Sequence, residues 1–172
     1  MVSFSSNFFM FRLSCLIVGV LLISNNPLLL KGDPSLVNKV CAKTSDPKLC
    51  SDTLNSDPST AKAATRYDLG LASLGLATAK ASSTLDIIRG AINQNLAYKK
   101  CEDKYNIAIN NLNPMKDAFV HHDYMDVRKH SLILFSAITE CGAAFGTSKP
   151  VVISNAERYI LILNIVVIDV EL

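Results

Sequence analysis

Five cysteines and three histidines are the side chains of this 172-residue chain best suited to ligate a metal or attack a substrate. His122, Asp126 and His130 recur at steps of four, which puts them on one face of a helix. Two imidazoles and a carboxylate so placed could hold a metal ion. The competing reading, a solvated polar face, is preferred, because the three ligands spread over two exposed turns. No Gly-x-Ser-x-Gly, His-Glu-x-x-His or glycine-rich phosphate loop occurs. The adjacent carboxylates Glu102 and Asp103 read as solubilising charges that complement a helix N-terminus. The chain is therefore expected to carry no catalytic site, no metal and no cofactor.

The cysteines point to a different use. Arg12 precedes an apolar run from Leu13 to Ile23, shorter than the ~20 residues a bilayer requires. Residues 1–24 accordingly read as a secretory signal ending near Ser24, and Cys15 leaves with it. Cys41, Cys50, Cys101 and Cys141 remain, an even set that suits a disulfide framework in an oxidising compartment. With all four in bridges, no thiol nucleophile is left. The four alone allow three pairings.

The elements that must position these residues read as helices throughout. Residues 25–56 are short, polar and punctuated by Pro27, Pro34 and Pro47, which suggests a helical hairpin turning at Asp46-Pro47. Beyond it, four stripes alternate steps of three and four over residues 57–172. The first is Leu71, Leu74, Thr78, Ala81, Leu85, Ile88 and Ile92, set among small residues that would let neighbours approach closely. The second is Cys101, Tyr105, Ala108, Leu112, Met115 and Phe119, with Pro114 predicting a kink, or a break near Asn113. Tyr124, Val127, Ser131, Leu134, Ile138 and Cys141 form the third, capped by Asp123 and ended by Gly142. The fourth is Ala156, Tyr159, Leu163, Val166 and Val170, opened by a Ser154/Glu157 capping box. Ile160–Val170 is apolar nearly all round. Its acid and its length favour a buried helix over a membrane span, while its Ile and Val content also suits a strand.

Four such stripes predict an all-α, up-and-down four-helix bundle preceded by a short hairpin. Position 121 lies midway between Cys101 and Cys141, so folding the second and third helices into an antiparallel pair brings those two cysteines together. Cys41–Cys50 is left as the local bridge. A net charge of +2 without a basic stripe speaks against nucleic acid as a partner. No Asn-x-Ser/Thr sequon is present.

Several segments together carry a resemblance. Cys-x8-Cys at 41–50 follows the signal segment. Cys101-Glu-Asp-Lys-Tyr105-Asn-Ile-Ala108-Ile-Asn-Asn-Leu112 is similar to a Cys-x3-Tyr-x2-Ala-x3-Leu pattern. Asp123-Tyr124, Ser136-Ala-Ile-Thr-Glu-Cys141, Phe145 and Ser154-Asn155 follow in order. Over about residues 35–172 the chain resembles the plant invertase and pectin methylesterase inhibitors. That resemblance implies a single inhibitor domain, bridges of first to second and third to fourth cysteine, and a secreted protein of the apoplast or vacuole. It implies a non-enzymatic role, in which one pectin methylesterase or acid invertase is bound one-to-one and its cleft obstructed. The Pro-Lys-Phe tripeptide frequent in invertase inhibitors is absent, which leans toward pectin methylesterase. Asp103, Asn106 and Asn110 on the second bundle helix, with Asp126 and Lys129 on the third, are the candidate target contacts. The rival readings are a non-inhibitory, allergen-like interaction protein and a small-ligand carrier.

Overall fold

The structure is a computed structural model, and it describes residues 34–170. The signal segment read over 1–24, with Cys15, and the start of the hairpin lie outside the described residues. All regular structure among the described residues is helical. Helix α1 spans Pro34–Cys41, α2 Pro47–Ser56 and α3 Pro58–Ala61. The long helices are α4 (Arg66–Gly90), α5 (Leu96–Val120), α6 (Tyr124–Ala144) and α7 (Val151–Val170), with a 3-10 turn at Gly146–Ser148. In the bundle α4 lies beside α5, α5 beside α6, α6 beside α7, and α7 closes against α4. The α1–α2 hairpin leans on α7.

Local chemistry starts the helices where they start. Thr65 and Asp68 form a reciprocal capping box on α4, the Asp68 N–H donating to Thr65 Oγ1 at 3.1 Å and the Thr65 N–H to Asp68 Oδ2 at 3.0 Å. Asn95 caps α5 by accepting from the Ala97 N–H at 2.8 Å, and Asp123 caps α6 by accepting from the Asp126 N–H at 3.1 Å. Pro47 and Pro58 stand in the first turns of α2 and α3, where a missing N–H costs nothing. Their caps are Asp46 and Asp57.

The stripes of α5 and α7 face inward nearly as the sequence predicts, but four local expectations need correction. Helix α5 runs through Pro114 to Val120, so the break near Asn113 does not occur. Pro114 is exposed, and so is Asn110, whose carbonyl loses its usual donor. The proline thus falls on the solvent side of the helix, while Leu112 and Met115 hold both flanks inside. Gly142 does not end α6, which continues to Ala144. Its hydrogen faces the Lys149 ammonium and the Glu157 carboxylate, which fill the space of a Cβ. Gly146, at φ +55°, supplies the left-handed turn instead. Ser154 is no cap, because α7 begins at Val151 and the Ser154 N–H donates to the Pro150 carbonyl at 3.0 Å. Tyr124 stands half-exposed, so the α6 stripe begins at Val127.

On α4 the buried face is rotated toward its small residues. Gly70, Ser73, Ala77 and Ala81 are buried with Leu69, Leu74, Leu85 and Ile88, while Leu71 and Thr78 are half-buried and Ile92 lies past the helix end. At Gly70 the Phe119 ring and a Val170 methyl sit where a Cβ would stand. Tyr67 stacks on Phe119 with centroids 5.4 Å apart, and Tyr98 meets Phe145 edge-on at 4.9 Å near the other end. Fully buried Tyr105, Ile88, Leu112, Met115, Leu134, Ile138, Ile160 and Leu163 fill the space between.

Cys41 is bonded to Cys50 and Cys101 to Cys141, across sequence separations of 9 and 40. The hairpin is fastened to α7 by Lys43 Nζ on Asp169 Oδ1 at 2.6 Å and Arg158 Nη2 on Asp46 Oδ2 at 2.5 Å. The Asp46 carboxyl is held below its ordinary range by the Leu49 N–H and then by Arg158, and Asp57 by the Ser59 hydroxyl and then the Ser59 and Thr60 N–H groups.

Three outcomes follow for stability. Gly70→Ala should lower it by about 1–3 kcal/mol through overpacking against Phe119 and Val170, whereas Gly75→Ala, with open space around it, should raise it by about 0.4–1 kcal/mol; urea midpoints of the two variants check this. Replacing Cys101 and Cys141 together by serine should cost about 4 kcal/mol and replacing Cys41 and Cys50 about 2.7, by loop entropy, so the first pair should show the lower midpoint. Asp46 and Asp57 have depressed folded-state values, so the stability they contribute is present above their unfolded pKa of about 3.9 and lost as pH falls through the folded values. Melting temperature should therefore drop below about pH 4, and Asp57→Asn, which keeps a capping oxygen, should flatten that acid limb.

Candidate functional site

The residues singled out for chemistry are distributed over α5, α6 and the turn joining them. That turn is a Schellman motif, in which the His122 N–H donates to the Phe119 carbonyl at 3.1 Å and the Asp123 N–H to the Ala118 carbonyl at 2.9 Å. His122 occupies its left-handed position at φ +57°, where glycine is the usual occupant. Its ring is placed between Tyr67 and Tyr124, with centroids 5.5 and 5.9 Å away, and its Nδ1 lies 3.0 Å from the Tyr124 hydroxyl.

His130 faces the groove between the two helices. Its Nδ1 is 2.8 Å from Asn111 Oδ1 and its Nε2 3.3 Å from Asp126 Oδ2. Asn111 in turn donates its amide to the Ile107 carbonyl at 2.8 Å, which orients its oxygen toward the imidazole. The structure thus brings Asp126 and His130 together and leaves His122 among the tyrosines. No group of three metal-ligating side chains occurs among the described residues.

Three rungs fix the antiparallel register of α5 and α6. From base to tip they are the Cys101–Cys141 bridge, the Lys104–Glu140 ion pair and the Asn111–His130 contact. Glu140 also accepts from the Ser136 hydroxyl at 2.6 Å, and Lys104 first, then Ser136, hold its carboxyl below the ordinary range. Asp126 is held low by Lys129, whose Nζ donates at 2.9 Å, and then by His130. In the core, burial and then the Glu157 charge push the Tyr105 phenol well above its ordinary value.

Of the five candidate contacts, Asp103, Asn110 and Lys129 are exposed and Asp126 is partly exposed. Asn106 is half-buried and accepts from Arg89 at 3.4 Å, beside the Arg89–Glu102 pair at 3.1 Å, so it serves a bridge from α4 to α5. Asp103 and Asn106 lie toward the base of the hairpin, Asp126 and Lys129 toward its tip, and Asn110 stands between, next to the Asn111–His130 rung. Stripe reasoning missed the outer face of α6, where Met125 is 79% exposed, Leu132 70% and Phe135 49%. The signal was available, since apolar residues at 125, 132 and 135 fall off the buried stripe yet keep helical spacing among themselves.

Comparison with known proteins agrees with this architecture. A pectinesterase inhibitor of Actinidia deliciosa is 30% identical over 121 residues, an alignment covering 67% of this chain and 65% of that relative, so the chain spans just under two thirds of the relative's length. A mutant form of a pectin methylesterase inhibitor from Arabidopsis shares the fold at TM-score 0.70, with 22% identity over 81% of this chain and 95% of that one. A second pectin methylesterase inhibitor structure, from Arabidopsis thaliana, superposes at TM-score 0.58 with 23% identity and the same coverage. Residues 35–162 match the family described as plant invertase/pectin methylesterase inhibitor. With that match covering most of its length, and with the helices and bridges described above, the chain belongs to the plant invertase/pectin methylesterase inhibitor family.

Proposed function

We propose that this protein is a secreted, non-catalytic inhibitor that binds a plant pectin methylesterase one-to-one and obstructs its cleft. The observation that carries the reading is the family match over residues 35–162, next to a relative named as a pectinesterase inhibitor. The absence of a Pro-Lys-Phe tripeptide favours pectin methylesterase over acid invertase, which is the second target reading. Two bridges and capped helices support a pre-organised binder, which loses little conformational entropy on docking. A core filled by Tyr105, Leu112, Met115, Ile138 and Leu163 favours an inhibitor over a carrier of small apolar ligands. Asp103 and Asn110 on α5 and Asp126 and Lys129 on α6 remain the proposed contacts, and Asn106 contributes through its bridge to Arg89. The four helices and the hairpin, over about residues 35–172, act as one inhibitor domain in this reading.

Titration against one pectin methylesterase and one acid invertase, at about pH 5 and 7, tests it. Pectin methylesterase activity should fall to a floor at one equivalent and invertase activity should hold. Lys129→Glu and Asp103→Lys should each weaken inhibition about two- to five-fold with unchanged melting temperature. Full activity of both enzymes in the presence of excess folded protein would refute the inhibitor reading, and leave the non-inhibitory interaction protein in its place.

A further inference from the structure

We propose that the outer face of α6 is a self-association surface, on which a second copy of this chain packs its own α6 antiparallel about a two-fold axis at Leu132. Met125, Leu132 and Ser136 form the outward ridge of the helix, with Arg128 and Phe135 along one flank and Lys129 and Ile133 along the other. Leu132 is 70% exposed at its centre. Ile107 on α5 is exposed as well, and the α5–α6 register sets it level with the C-terminal half of this ridge.

Area and pattern both point to a second copy. Five exposed apolar side chains of this size present on the order of 500 Å² on one side of the hairpin, at the upper end of what a monomer leaves in a single patch. Two copies together reach about 1,000 Å², the lower bound for a specific interface, with the polar flanks adding to it. The pattern is self-complementary in one direction only. Antiparallel pairing about Leu132 stacks leucine on leucine and sets Met125 level with Thr139 of the partner subunit. It also sets each Arg128 level with the uncharged Ser136 of the partner subunit, away from its own copy. Parallel pairing would instead stack Arg128 and Lys129 on their own copies.

This association goes beyond the inhibitory reading and does not depend on it. Lys129 lies inside the surface and Asp103 and Asn110 border Ile107 at its edge, so the dimer would mask the α6 part of the proposed target face.

Sedimentation of the oxidised wild-type protein over a concentration series gives the first readout. A monomer–dimer equilibrium with a dissociation constant in about the micromolar range is expected, and Leu132→Glu should weaken it at least ten-fold while circular dichroism stays unchanged. The second readout is cross-linking of single added cysteines. Leu132→Cys should form a covalent dimer on mild oxidation, because the two copies meet at the axis. Met125→Cys should not, because antiparallel pairing holds its copies about 20 Å apart along the helices. A wild-type protein that stays monomeric throughout overturns the proposal, as does a dimer indifferent to Leu132→Glu. Efficient cross-linking through Met125→Cys overturns the antiparallel arrangement.

Discussion

The Cys101–Cys141 bridge ties the first inward turn of α5 to the last inward turn of α6, and much of the molecule is arranged around that pair. With the base covalently closed and the tip closed by a three-residue turn, neither helix can slide against the other. The Lys104–Glu140 and Asn111–His130 contacts then fall into place between the two ends. Helices α4 and α7 close the bundle from the other side. Their approach depends on a bare backbone at Gly70, where Phe119 from α5 and Val170 from α7 occupy the volume a side chain would need. Rigid hairpin and close-packed helix together define the outer faces on which a partner would dock.

The N-terminal hairpin uses different physics. It is too small to bury a core of its own, so a local bridge holds its two helices and its apolar Val37, Val40 and Leu54 lean on the bundle. Two ion pairs aim it. Asp169 is nearly buried and would be costly as an isolated charge, and Lys43 supplies the counter-charge from the hairpin. Asp46 both caps α2 and receives Arg158, so one carboxylate starts the helix and orients it on α7.

Helix content, order and the α5 stripe were legible in the sequence because steps of three and four with large apolar residues admit one periodicity. The α4 face was read a fraction of a turn away from its true position, since glycine, serine and alanine carry no hydrophobic signal even when they mark the tightest packing. The break near Asn113 and the helix end at Gly142 were misread for one reason: a residue type states a local preference, and the side of the helix on which it falls decides whether that preference matters. Ser154 and Glu157 have the spacing of a capping box, but Glu157 is engaged by Lys149 over Gly142, a contact no local pattern announces. For the candidate contacts, sequence could name polar residues on two helices. It could not show that Asn106 is taken up by Arg89, because that depends on which neighbour lies alongside.

The two latches between hairpin and α7 join residues 126 and 112 positions apart, whereas the bridges close over 40 and 9. Loop closure of that length is slow relative to local pairing, so the order of assembly is written into the topology. The hairpin and the α5–α6 pair can each form from neighbouring chain, and each carries its own cysteine pair. As the chain emerges from its N-terminus, Cys41 and Cys50 appear together, well before Cys101. Cys41 and Cys50 can therefore pair before Cys101 and Cys141 exist as competitors, and α7 then seals the bundle and locks the hairpin in place.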